Sequence, residues 1–176
     1  MSRNKKILKN IIILITCFAL LNNLSYYKLS PLAAHKASEK SAHYGPSQIV
    51  HIEDFEEGKY ILCKYDNWIS CNTVLKDFGF LWRFGNQPTG IENKKEKAVE
   101  FTFSISEYGK LYGIINNPSI TKIEVKLNDG NKIEKTKFYE DMFLFTWVNK
   151  KSNNYLILDT ITAYNNSGEV VFSETY

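Results

Sequence analysis

Histidine is scarce in this chain of 176 residues, with only three copies, and all three lie before residue 52. His35, His43 and His51 are spaced eight residues apart, which matches no zinc-ligand spacing. A Ser–His or Cys–His nucleophilic pair also needs a histidine in the catalytic domain, and none follows residue 51. The sequence therefore predicts exposed polar histidines, no metal site and no catalytic triad.

Other signatures of chemistry are missing as well. The chain has no Gly-Xaa-Ser-Xaa-Gly elbow, no phosphate-binding loop and no dinucleotide fingerprint. Its densest acidic cluster ends just before Gly58 and is typical of a solvated turn; it consists of Glu53, Asp54, Glu56 and Glu57. Residues 128–131 resemble part of a calcium loop but lack the later ligands, and a hairpin turn explains them. We predict no catalytic, cofactor-binding or metal-binding residue and no cofactor.

The chain also lacks an apolar run of about 20 residues, the length that a membrane-spanning helix needs. Its longest run, residues 11–21, has eleven residues and follows four basic residues between positions 3 and 9. This order is typical of a signal sequence. Extending the run to the pair Tyr26 and Tyr27 gives about 25 Å of helix with interfacial aromatics, which favours an uncleaved anchor over a cleaved signal peptide.

Positive charge is concentrated at the start of the chain. Residues 1–30 carry five basic residues and no acidic one, whereas the remainder has 17 basic and 19 acidic residues. Because that remainder is slightly acidic, nucleic acid is excluded as a partner. The positive-inside rule places the N-terminus in the cytoplasm and residues from about 28 onward outside. We predict that residues 1–27 are a signal peptide or an uncleaved signal anchor. The protein is then a single-pass protein of the cell membrane, or a secreted one if the signal is cleaved.

Cysteine is rare, with three copies. Cys17 matches the lipoprotein acylation pattern only weakly, because the apolar run continues for four residues past it, and we expect a buried apolar cysteine. Two strand-like runs flank a three-residue loop, residues 66–68, which sets Cys63 opposite Cys71. Outside the cytoplasm such a pair either forms a disulfide or stays as two thiols that never oxidise, and the sequence leaves both open.

The part of the chain after the signal divides into a short helix and a β region. Ser30 and Pro31 form an N-cap and a first helical residue, which predicts a helix over residues 31–43 within a stalk or linker of residues 28–47. Its possible apolar face is small, so we expect a stalk or an edge element. Residues 48–176 are predicted to form one extracytoplasmic antiparallel β domain.

Short β-favouring runs recur along this domain at intervals of about ten residues, with turn residues between them. Intervals of this length favour a mainly β fold, an antiparallel β-sandwich or a barrel-like domain. Residues 86–97 are predicted to form a solvated loop. The further strands are predicted at residues 78–85, 98–105, 111–115, 123–127, 133–139, 142–148, 156–164 and 169–173.

Aromatic residues are the one excess, at 14% of the chain. Two runs place them at alternate positions, so that each set shares one face of its strand. Such a face either fills the core or forms an exposed platform for a glycan, a peptide or a partner protein. The two sets are Phe78, Phe80, Trp82 and Phe84, and Phe143, Phe145 and Trp147.

Several of these segments together resemble a group of small membrane-anchored or secreted β-rich proteins of low-GC Gram-positive bacteria. The segments are Ser30-Pro31 behind the N-terminal run, residues 78–82, 111–120, 123–125, 161–164 and 168–171. The resemblance implies anchorage outside the membrane and a β-rich fold. It carries no assigned activity and no functional residue.

The function predicted from the sequence is a non-enzymatic extracytoplasmic binding or structural module tethered to the membrane. It acts through an aromatic or sheet-edge surface on a protein or an envelope ligand. One alternative is a small cell-envelope hydrolase that uses carboxylates. Another is an inhibitor or immunity-type protein that binds a secreted partner.

Overall fold

A computed structural model describes residues 3–24, 26–85, 90–149 and 155–176. The fold is mainly β and antiparallel, as predicted, with two helices. The helices are α1 (Arg3–Leu24) and α2 (Pro31–Ser41). The strands are β1 (Gln48–Phe55), β2 (Gly58–Tyr65), β3 (Trp68–Asp77), β4 (Leu81–Phe84), β5 (Gly90–Glu92), β6 (Val99–Ser104), β7 (Tyr108–Ile115), β8 (Ile120–Leu127), β9 (Lys132–Lys135), β10 (Met142–Val148), β11 (Leu158–Asn165) and β12 (Val170–Thr175).

The chain divides into two compact units. Unit 1 comprises Met1–Pro46, Ile52–Ile61 and Asn72–Pro88, and unit 2 comprises Ser47–His51, Leu62–Cys71 and Thr89–Tyr176. The strands form three sheets with the orders β1-β2-β3-β4, β10-β7-β6 and β12-β11-β8-β9. Strand β5 joins the first sheet by pairing with β3.

Helix α2 in unit 1 begins where the sequence predicted. The Ser30 side chain accepts a hydrogen bond from the Ala33 N–H at 3.2 Å, and Pro31 occupies the first turn, which needs no backbone donor. The helix ends two residues earlier than predicted and contacts β4. One face of the helix is buried, and it consists of Ala34, His35, Ser38 and Glu39.

This buried face bears on two predictions. Helix α2 packs against β4, which favours the edge element over the stalk, and His35 is 2% exposed instead of facing solvent. The packing of α2 was not predictable from apolar patterning, because its buried face is mostly polar. Leu32, the apolar residue expected to pack, is instead 43% exposed. His43 is exposed, as predicted.

The hairpin between β2 and β3 has a shorter loop than predicted. Its loop is Asp66 and Asn67, and Trp68 already belongs to β3. Asp66 adopts a φ of 53°, the left-handed conformation that two-residue hairpin loops require. A two-residue loop shifts the register by one position, and since side chains alternate between faces, Cys63 and Cys71 are not directly opposed. Both are buried and neither is in a disulfide, so of the two alternatives that the sequence left open the structure has the two thiols.

The predicted aromatic strand at residues 78–85 is also shorter. Phe78 and Gly79 have φ angles of 51° and 76°, so residues 78–80 form a turn and β4 begins at Leu81. In the predicted solvated loop that follows, Gly90–Glu92 forms β5, and residues 86–89 lie outside the described residues.

Unit 2 contains a core built from two sheets. The strands predicted at residues 98–105, 123–127 and 142–148 are confirmed by β6, β8 and β10. Side chains of the β10-β7-β6 sheet meet those of the β12-β11-β8-β9 sheet in one apolar cluster. Phe143, Phe145 and Trp147 lie in this cluster, so the second aromatic set fills the core.

The polar turns follow their local chemistry. Asp129 accepts a hydrogen bond from the Asn131 N–H at 2.9 Å and Gly130 has a φ of 86°, so this segment is a hairpin turn as predicted. In the acidic cluster the turn covers only residues 56–57, because Glu53 and Asp54 belong to β1.

Helix α1 exposes its apolar side chains. Residues 3–20 are all exposed, Cys17 among them, so the expected burial of Cys17 is wrong. Within the residues that the structure describes, neither helix combines the length and the apolar composition needed to cross a bilayer.

Candidate functional site

Five aromatic residues of unit 1 lie in the β3–β4 turn, in β4 or in the segment after α1, and we call this set the aromatic surface: Tyr26, Tyr27, Phe78, Phe80 and Phe84. Phe78 is 78% exposed and Phe80 is 64% exposed. Both stand in the β3–β4 turn, where two successive left-handed residues hold the chain in a tight reversal. Two neighbouring exposed phenylalanines make this turn a candidate contact region.

Ring contacts connect this turn to the segment that follows α1. The rings of Tyr27 and Phe78 have centroids 6.4 Å apart at an interplanar angle of 65°. Tyr26 contacts Tyr27 at 5.6 Å and Phe84 at 5.0 Å, both edge to face. These are the separations at which aromatic pairs attract each other.

Hydrogen bonds fix the same connection. The Lys28 N–H donates to the Trp82 carbonyl at 2.7 Å, and the Trp82 N–H donates back to the Lys28 carbonyl at 2.8 Å. The Tyr26 hydroxyl donates to the Phe84 carbonyl at 2.9 Å. The segment of residues 26–28 and strand β4 are therefore joined by backbone as well as side-chain bonds.

Charged residues near the turn are partly neutralised. The Arg83 guanidinium donates to the Asp77 carboxylate at 2.6 Å. The Lys76 ammonium lies 5.7 Å from the centre of the Trp82 ring, within the range of a cation–π contact. The first of the two aromatic sets predicted from the sequence is divided between two environments: Phe78 and Phe80 are exposed, and Trp82 and Phe84 are half-buried.

A buried polar cluster lies elsewhere in unit 1. The Asn72 side-chain amide donates to His35 Nδ1 at 2.7 Å, and His35 Nε2 lies 3.4 Å from Glu39 Oε1. This arrangement suits a neutral imidazole with its proton on Nε2. Burial lowers the pKa of His35, an effect that Glu39 opposes and Lys36 reinforces. The cluster holds α2 and β3 together rather than facing a cavity.

A buried lysine lies in unit 2. Lys110 on β7 is 8% exposed, and its ammonium donates to the Cys71 carbonyl. Burial lowers the pKa of Lys110, and the neighbouring Cys71 opposes this shift. The pair is therefore a buried polar contact between β7 and β3.

A cleft of about 190 Å³ in unit 2 is a candidate site for a small ligand. Lys64 lies in its wall, and its ammonium binds Asp141 and, at 2.9 Å, Glu140. Both carboxylates are therefore held on one cation. This arrangement is that of an ion-paired rim.

The remaining histidine has a structural partner. His51 stacks on the Tyr139 ring with a centroid distance of 3.5 Å. In the part of the chain that the structure describes, no group of three or more His, Cys, Asp or Glu residues could hold a metal ion. His35, His43 and His51 thus have three separate environments.

The sequence did not single out three buried polar residues, Asn72, Lys110 and Asn149. Lys110 interrupts the buried part of β7 with a charge, which was the available signal, whereas Asn72 lies beside the buried Ser70 and Thr73 of β3 and does not stand out in the sequence. Asn149 is a third, and it connects two loops: it donates to the Ser106 carbonyl at 2.5 Å and accepts from the Leu156 N–H at 2.7 Å.

Comparisons of the chain with protein-family models, with curated proteins and with solved structures found no match. The resemblance to small exported Gram-positive proteins therefore stays a prediction.

Proposed function

We propose that this chain is a non-enzymatic binding or structural module attached to the cell membrane through α1, with its β-rich part on the outer side. The observation that carries the proposal is the exposure of nine large apolar side chains along α1, each between 48% and 71% exposed. These are Ile7, Leu8, Ile11, Ile12, Ile13, Leu14, Ile15, Phe18 and Leu20.

The energetics favour a lipid environment for this helix. A half-exposed Leu, Ile or Phe side chain gains about 1 kcal/mol on leaving water, so nine of them gain on the order of 10 kcal/mol. A single myristoyl chain, by comparison, binds membranes with an association constant of about 10⁴ M⁻¹, which corresponds to roughly 5.5 kcal/mol. Transfer of α1 into a membrane is therefore sufficient for attachment.

Charge supports the proposed orientation. Four basic residues precede the apolar run, and the chain after residue 30 is slightly acidic, which fits a cytoplasmic N-terminus and an external β region. A protein secreted after cleavage is the alternative outcome. For the β region we propose a sandwich, because two sheets of unit 2 share one apolar core.

A carboxylate hydrolase and an inhibitor of a secreted partner are the alternative functions. The pairing of Glu140 and Asp141 with Lys64 argues for binding over hydrolysis at the cleft. The aromatic surface favours contact with a membrane or a partner.

The test uses the full chain with a C-terminal tag in a Gram-positive host. We expect the tag in carbonate-washed membranes and open to protease added to intact cells. Leu14→Glu combined with Phe18→Glu should release the protein from the membranes, whereas Val170→Glu, at a residue of matched exposure, should not. Extraction of the unaltered chain by carbonate, or protection of the tag, would contradict the proposal. A shortened product in the medium would indicate secretion.

A further inference from the structure

We infer that Phe78 and Phe80 form a second membrane contact, inserting into the bilayer interface beside the end of α1. This inference rests on the proposed attachment through α1 and adds a lipid-binding role for the β3–β4 turn. The partner is the headgroup and upper acyl region of a phospholipid bilayer.

Position is the first argument. Tyr27 follows the last residue of α1, Leu24, by three positions, and its ring contacts that of Phe78 at 6.4 Å. The polar region on each side of a bilayer is about 5–8 Å thick. Where α1 enters the lipid, Tyr27 therefore lies at the interface, and Phe78 lies within one headgroup layer of it.

The rigidity of the connection is the second argument. Lys28 and Trp82 exchange two backbone hydrogen bonds, and the Tyr26 hydroxyl binds the Phe84 carbonyl. The turn cannot move away from residues 26–28, which follow α1 in the chain, without breaking these bonds. Tyrosine is also enriched at membrane–water boundaries, so Tyr26 and Tyr27 suit the proposed position chemically as well as geometrically.

The third argument is the exposure and charge of the turn. Phe78 and Phe80 are the most exposed large apolar residues outside α1 in the part of the chain that the structure describes. Asp77, the nearest acid along the chain, is paired with Arg83, which reduces its repulsion of anionic headgroups. Lys76 and Lys28 flank the turn with positive charge, which anionic lipids attract.

The test measures the depth of a nitroxide label on the full chain in vesicles of equal parts phosphatidylcholine and phosphatidylglycerol. One sample carries the label on Cys17, the only exposed cysteine, since Cys63 and Cys71 are buried. The second carries it on Phe80→Cys and the control on Val170→Cys, both in a Cys17→Ser background. A fourth sample, Phe78→Cys in the same background, repeats the measurement at the other side of the turn.

We expect the labels at positions 17, 78 and 80 to lose accessibility to a water-soluble nickel complex on addition of vesicles, and the label at 170 to keep it. Protection at 17 with full accessibility at 78 and 80 would overturn this inference and leave the proposed attachment intact. Full accessibility at 17 would overturn both. Spin–spin broadening at 80 without lipid would assign the surface to a second copy of the chain instead. Protection at 170 as well would show adsorption without a preferred surface and would also overturn the inference.

Discussion

A methyl group at position 109 has no room beside the Trp147 indole. Gly109 on β7 is paired directly with Trp147 on β10, and the Trp147 ring lies over the glycine. A Cβ at this position would lie 2.7 Å from Trp147 Cδ1 and closer still to two other indole atoms. The three nearest atoms all belong to this one side chain, so the indole alone excludes alanine.

The expected magnitude follows from this geometry. Overpacking in a close-packed core costs about 1–3 kcal/mol, and we expect Gly109→Ala to lower the free energy of unfolding by that amount. In a strand with open space, the same substitution gains about 0.5–1 kcal/mol, because alanine loses less backbone entropy than glycine. Removing the indole should therefore reverse the sign of the effect.

A double-mutant cycle tests this reversal. Trp147→Ala removes a 6%-exposed side chain whose Nε1 donates to the Leu156 carbonyl at 3.1 Å, and it should cost about 3–5 kcal/mol. Gly109→Ala in that background should then be neutral or stabilising. The assay is urea unfolding in mild detergent, followed by far-ultraviolet circular dichroism.

Two results would refute this reasoning. The first is a Gly109→Ala variant as stable as the unaltered chain, which would mean that the indole moves aside at no cost. The second is additivity of the two substitutions, since residues in direct contact should show a coupling energy of about 1–3 kcal/mol.

Three further predictions concern buried polar groups. Burial lowers the pKa of His35 in the folded chain, so the unfolded chain binds the proton more readily and the free energy of unfolding should decrease as the pH drops below the ordinary value of 6.5. The substitution His35→Gln should flatten that part of a curve of unfolding free energy against pH. Ellman's reagent should titrate Cys17 in the folded protein and reach Cys63 and Cys71 only after unfolding, and an intact mass without the loss of two hydrogens should confirm the free thiols. Asn149→Ala should cost about 2–3 kcal/mol in thermal unfolding because two backbone groups lose their partners, and an unchanged melting temperature would contradict this.

The strands with one buried face were predictable from the sequence. In β8, Ile123, Val125 and Leu127 are buried while Glu124 and Lys126 between them are half-buried, so alternation alone defines the strand. In β2 and β3, by contrast, side chains of both parities are buried. Alternation then carries no information about register, and the hairpin loop was predicted one residue too long.

The aromatic surface was only half predictable. The sequence showed that Phe78 and Phe80 share a parity with Trp82, which suggested one continuous strand face. Alternation could not show that Phe78 adopts a positive φ, a conformation rare for a bulky residue. That single backbone choice converts the start of the strand into a turn and moves two phenylalanines from a sheet face to an exposed tip.

The two glycines Gly109 and Gly113 of β7 look alike in the sequence, but different neighbouring atoms confine them. Gly113 lies four residues after Gly109 and is likewise paired with an aromatic residue, Phe143. A Cβ here, however, would lie 2.5 Å from Phe143 Cζ and closer still to the Glu100 carbonyl oxygen of the neighbouring strand. Because a paired backbone atom cannot rotate away, Phe143→Ala should not rescue Gly113→Ala, and the same urea assay should show both substitutions destabilising in every background. Rescue at position 113 equal to that at 109 would mean that the ring contact, and not the distance between β6 and β7, requires glycine there.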